Sequence, residues 1–94
     1  MLDSNTKIVT EIISAQRSVM GRFASDLAHK VPGIIFDGET VVSVDGDTRE
    51  VLKNLVNEYA NLFGQSSIEV CKDVVTSLRG EVDENILPEE LQAG

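Results

Sequence analysis

Val41-Val42-Ser43-Val44-Asp45-Gly46-Asp47-Thr48-Arg49-Glu50-Val51-Leu52 is the stretch that decides the fold. An alternating strand pattern ends in it, Asp45-Gly46 makes a turn, and the apolar period changes from two to about 3.6. Asp47 with Glu50 three residues on has the form of a helix N-terminal capping box, each side chain accepting from the other's backbone N–H.

Just upstream, Ile34-Ile35-Phe36 and Thr40-Val41-Val42-Ser43-Val44 flank Asp37-Gly38, whose tolerance of positive φ predicts a tight antiparallel hairpin. With Phe36 opposite Glu39, Ile35, Thr40, Val42 and Val44 share one face, and Ile34, Phe36 and Val41 share the other. Both faces are apolar. A lone hairpin is marginal in water and needs a covering layer. Helices of the same chain supply one cover, and the second face points to self-association through Ile34, Phe36 and Val41.

Further upstream, apolar residues from about Thr6 to Val31 recur every three or four positions, which predicts one long helix capped by Ser4 or Asn5 and stopped by Pro32-Gly33. Ser14, Ser18, Gly21, Ser25 and Ala28 line one side of it in a four-three-four-three spacing. Gly21 costs about 1 kcal/mol against Ala inside a helix, so the row reads as a line of close helix contact, with a polar solvent face as the bland alternative.

Downstream, Thr48 to about Phe63 predicts a second helix with Leu52, Leu55, Val56, Tyr59 and Phe63 on one stripe and Gly64 as its left-handed cap. Ser66 and Glu69 repeat the capping-box spacing and open a third helix, with Ile68, Cys71, Val74, Val75 and Leu78 inward, closing near Gly80. The fold class is therefore α+β in the order α-β-β-α-α. Residues 1–80 form a single domain, followed by an acidic segment over 81–94, frayed or partly helical, in which Pro88 opens a short turn carrying Leu87 and Leu91.

The 94 residues suffice for one core. At 41% hydrophobic and 26% charged the composition is globular, and with few aromatics the core is aliphatic. Sixteen carboxylates against eight Lys and Arg give a net charge of −8, which repels nucleic-acid phosphate and anionic membranes alike. The first residues lack the basic and apolar segments of a secretion signal, so a cytoplasmic protein is expected. One cysteine excludes an internal disulfide.

Candidate chemistry is sparse. Asp45, Asp47 and Glu50 invite a divalent cation, but Gly46 and Arg49 break the calcium-loop pattern, and turn and cap duties account for all three acids. His29 lies three residues after Asp26 near a helix end, a spacing that serves a helix dipole as readily as an acid–base pair. Cys71 falls on an apolar stripe and reads as an inert core thiol. Val56 to Val75 has partial helix-turn-helix spacing, but Glu69 and Asp73 on its second helix oppose DNA. No cofactor or metal is expected. The reading that follows is a non-enzymatic protein-interaction or regulatory module that forms a homodimer. A small-ligand sensor is the alternative, and an enzyme using Asp26 and His29 the third.

Overall fold

In a computed structural model the described residues are 4–78, 80, 87, 88 and 91. Six elements follow in order: α1 (Ser4–Met20), α2 (Phe23–Ala28), β1 (Ile34–Asp37), β2 (Thr40–Val44), α3 (Thr48–Phe63) and α4 (Gln65–Ser77). The chain is mixed α+β, with four helices and one antiparallel hairpin among the described residues.

The segment expected as one helix over 6–31 is two helices. Gly21 adopts φ +63°, and its N–H closes the last turn of α1 on Arg17 O at 2.8 Å before the chain turns away. A left-handed residue just past a helix end is ordinarily Gly, because a Cβ is strained there. The break redirects Ala24, Leu27, Ala28 and Val31 into the core. It also leaves Val19 and Phe23, two of the apolar residues in that spacing, on the surface. Gly21 is thus a helix terminator, and nothing lies within 4 Å of where its Cβ would be. Asn5 is a helical residue inside α1 rather than its cap, and the Ser4 side chain lies outside what is described.

The hairpin also differs in register. Asp37 pairs with Thr40, so Gly38 and Glu39 form the turn, and Phe36 faces Val41 instead of Glu39. Further along, Ile35 pairs with Ser43 and Ile34 with Val44, which leaves Val42 as the extra residue of a bulge. A bulge shifts the alternation by one. Val41 and Val44, three apart, consequently both turn toward the helices with Ile34 and Phe36, while Ile35 and Val42 face outward.

Helix α3 starts at Thr48 with Asp47 as its cap, but Asp47 Oδ1 accepts from Arg49 N at 3.0 Å and not from Glu50 N as the reciprocal box expects; Thr48, Val51, Leu52, Leu55, Val56 and Tyr59 are buried. Phe63, placed on that stripe by its spacing, is exposed because α3 ends there. Helix α4 starts at Gln65, not Ser66, since Gly64 serves both helices: its N–H donates to Ala60 O at 2.7 Å and its carbonyl accepts from Ser67 N at 3.1 Å. With the backbone supplying the cap, Ser67 is free to turn inward and donate to Tyr59 O at 3.2 Å.

The core is mostly aliphatic, with Tyr59 buried in it. Ile8, Val9, Ile12 and Ile13 of α1 join α3, Cys71 of α4, and Leu87 and Leu91 from beyond α4. The acidic run over 81–86 lies outside the described residues, but Leu87, Pro88 and Leu91 are buried, and Leu91 N donates to Pro88 O at 2.9 Å. The turn expected after Pro88 is therefore docked at the positions described.

Gly33 closes the open end of the hairpin where it passes close to α3. Its φ is +95°, its carbonyl accepts from Asp45 N at 2.6 Å, and an added Cβ would sit 2.6 Å from Asp45 O and 2.8 Å from Val51 Cγ2. Both the backbone angle and the space exclude a side chain. Gly33→Ala is expected to cost at least about 2 kcal/mol, read as a lower urea midpoint at unchanged slope. A midpoint equal to wild type would contradict this account of the junction.

Candidate functional site

Two clusters hold most of the side chains that chemistry could use. The first joins α2 to the hairpin turn. His29, just past the end of α2, stacks its ring on Phe36 with centroids 4.0 Å apart. Its Nδ1 is 2.7 Å from Ser25 O and its Nε2 is 3.4 Å from Gly38 O. Arg17 reaches from α1 to donate to Ser25 Oγ at 3.0 Å and to pair with Glu39 at 3.1 Å. Each ring nitrogen of His29 faces a backbone carbonyl, and it is Ser25 O, not the Asp26 carboxylate, that orients the imidazole. This geometry latches the hairpin. The Arg17–Glu39 pair is solvent-exposed and adds at most about 1 kcal/mol.

The second cluster is buried among α1, α3 and α4. Gln16 is fully buried, and its Nε2 donates to Ser67 O at 3.0 Å and to Cys71 Sγ at 3.4 Å. Its Oε1 has no hydrogen-bond partner. Tyr59, also fully buried, donates its hydroxyl to Ala24 O at 2.8 Å and ties α3 to α2. The sequence reading missed both Gln16 and Ser67. Their only signal was that each polar residue sits on an apolar stripe, Gln16 one turn after Ile12 and Ser67 one turn before Cys71.

Burial pushes the Cys71 thiol up from its ordinary value, with the Gln16 hydrogen bond opposing. Desolvation likewise pushes Tyr59 up, with Cys71 adding and Arg17 opposing. Cys71 is thus held as the neutral thiol, the weaker nucleophile. Both groups keep their protons longer in the folded chain than in the unfolded one. Their contribution to stability is fully present below the unfolded values of 9.0 and 10.0, and is lost as rising pH ionises the unfolded chain first. The urea midpoint is expected to fall from about pH 9 upward, and Tyr59→Phe to flatten the upper part of that fall. A midpoint level to pH 11 would refute the coupling.

Asp47 serves as the α3 cap, and among the described residues no group of three or more His, Cys, Asp or Glu could hold a metal ion. No described helix is long and apolar enough to cross a membrane. Of the residues expected at an interface, Ser14, Ser18 and Gly21 are exposed and Phe36 is partly buried beneath His29. Ser25, Ala28, Ile34 and Val41 are buried within the chain. The helix break splits the small-residue row, and the helices cover the hairpin face that carries Ile34 and Val41, so these eight residues form no single surface.

What the surface does carry is apolar. Val19, Phe23, Ile35, Val42, Leu62 and Phe63 are each between 43% and 63% exposed. Ile35 and Val42 lie on the outer face of the hairpin, and the other four lie at the helix ends around Gly21 and Gly64. No known protein family matches the chain, and no curated protein or solved structure matches it either.

Proposed function

We propose that the chain is a protein-interaction or regulatory module that self-associates. The observation that supports this reading is the exposure of six large apolar side chains on a protein of only 94 residues, whose polar clusters are engaged in holding its elements together. Scattered single apolar residues are ordinary, but here they fall into two groups, one per exposed face, and grouped apolar surface is what an interface covers. Light scattering over a hundredfold range of concentration tests the proposal. A mass rising toward twice that of the chain is expected, and a constant monomer mass would overturn it.

A small-ligand sensor is the second reading, and one observation favours it. Gln16 Oε1 is a buried acceptor without a donor, which a bound molecule carrying an N–H or O–H could satisfy. An ordered water serves that oxygen equally well. A metabolite that raises the melting temperature in wild type but not in Gln16→Met would move the reading toward a sensor.

A further inference from the structure

We propose that His29 is a proton-operated latch: with a proton on both ring nitrogens it fastens the turn of the hairpin to the end of α2, and in its neutral form it leaves the turn held by the stack on Phe36. The ring lies between two backbone carbonyls of different elements, Ser25 O of α2 at 2.7 Å from Nδ1 and Gly38 O of the turn at 3.4 Å from Nε2. A neutral imidazole carries one N–H, so it can donate to only one of them. The shorter contact decides which. A ring nitrogen 2.7 Å from a carbonyl oxygen carries the hydrogen, so the neutral ring donates from Nδ1 to its own helix. Nε2 then turns a lone pair toward the lone pairs of Gly38 O. Only the imidazolium has an N–H on each side, and only it bonds α2 and the hairpin turn at once.

The surroundings act in the same direction. His29 follows the last residue of α2, where Ser25 O also accepts from His29 N at 3.0 Å, and carbonyl oxygens at a helix end favour a cation. The ring planes of His29 and Phe36 are 21° apart with centroids at 4.0 Å, and a cation over an aromatic face is drawn to its negative centre. Charged groups belong to each element that meets the ring: Asp26 of α2 and Lys30 just after it, Asp37 of β1, Glu39 of the turn, and Arg17 of α1. Arg17 and Glu39 pair with each other at 3.1 Å, which leaves Asp26 and Asp37 against Lys30, a balance that does not oppose the imidazolium. The sign follows from the bond count. Closing the turn end uses the added proton, so closure strengthens as pH falls through the range where histidine gains charge, about pH 8 to 5, and weakens as pH rises. Phe36 carries the change inward, because it is half-buried against the core.

Amide hydrogen exchange of wild type, His29→Gln and His29→Phe at pH 5.5 and 7.5 tests the latch. Rates are read as protection factors, which removes the pH dependence of exchange chemistry, and hairpin protection is divided by that of α3, which removes changes in global stability. In wild type this ratio is expected to be at least about threefold higher at pH 5.5 than at pH 7.5. Gln gains no proton, and Phe keeps a stack but neither hydrogen bond, so in each variant the ratio should stay within about 1.5-fold. His29 is exposed, so both variants should fold, and either one completes the comparison. A smaller change in wild type overturns the latch, and so does a folded variant that keeps the wild-type change.

Discussion

Ending the chain after Gly80 is expected to unfold it. Leu87 and Leu91 are each 2% exposed and belong to the same core as Ile8, Ile12 and Leu55, and Pro88 is buried beside them. Truncating one such Leu to Ala typically costs about 2–5 kcal/mol, through lost transfer energy and the cavity left behind. Removing two, with the proline, therefore costs roughly 4–10 kcal/mol against a usual total of about 5–15. The truncated chain should lose its cooperative thermal transition, or keep one with well under half the wild-type unfolding free energy. Leu91→Ala alone should lower stability by about 2–5 kcal/mol. A truncated chain that melts like wild type would show that these residues decorate the core without completing it.

The second large effect is expected at Gln16. Glu has nearly the shape of Gln, but at this position one of its oxygens would replace Nε2, 3.0 Å from Ser67 O and 3.4 Å from Cys71 Sγ. Two acceptors would face each other, and a carboxylate would be buried without a cation. An uncompensated buried charge costs about 3–5 kcal/mol. The folded chain escapes part of that by keeping the carboxyl protonated, which raises its folded pKa above the ordinary value near 4.3. The sign follows: the deficit is small below about pH 4 and grows as pH rises and the unfolded chain ionises. Gln16→Glu should therefore approach the wild-type urea midpoint at low pH and fall well below it at pH 7. Gln16→Met is the contrast. It removes the unpartnered Oε1 together with the Nε2 bond to Ser67 O, a carbonyl that lies within the ladder of α4, so it should stay within about 2 kcal/mol of wild type at every pH. Equal behaviour of Glu and Met at pH 7 would mean that this site is wetter than its burial implies.

The element order was legible because local signals agree along most of the chain. Asp47, Gly64 and Pro32-Gly33 mark boundaries by backbone chemistry that tertiary packing did not override, and α3 runs from Thr48 to Phe63 as its spacing predicts. Gly21 was harder. The apolar rhythm runs across it from Val19 and Met20 to Phe23 and Ala24, so periodicity alone continues the helix. The glycine carried the only hint, and it reads as a stop just as well as a contact. The hairpin failed for another reason. Sequence gives alternation, but one bulge inverts it, and no residue in Thr40–Val44 announces the bulge at Val42. That single irregularity brought Val44 to the face of Ile34, Phe36 and Val41, and because the helices cover that face, Ile35 and Val42 are the residues left outside. The buried amide of Gln16 was illegible in a stronger sense, since what makes it notable is a partner 51 positions away.

That separation also bears on how the protein is made. The apolar stripe of α1 leaves the ribosome first, yet Ser67 and Cys71, which pair with Gln16, and Leu87 and Leu91, which complete its core, leave last. At about 5–20 residues per second, the Gln16 position waits roughly 3–10 s for its partners to be synthesised. Throughout that interval Ile8, Val9, Ile12 and Ile13 belong to a nascent chain that cannot yet close over them. Until the later segments arrive, that stripe is aliphatic surface which the finished fold hides almost completely.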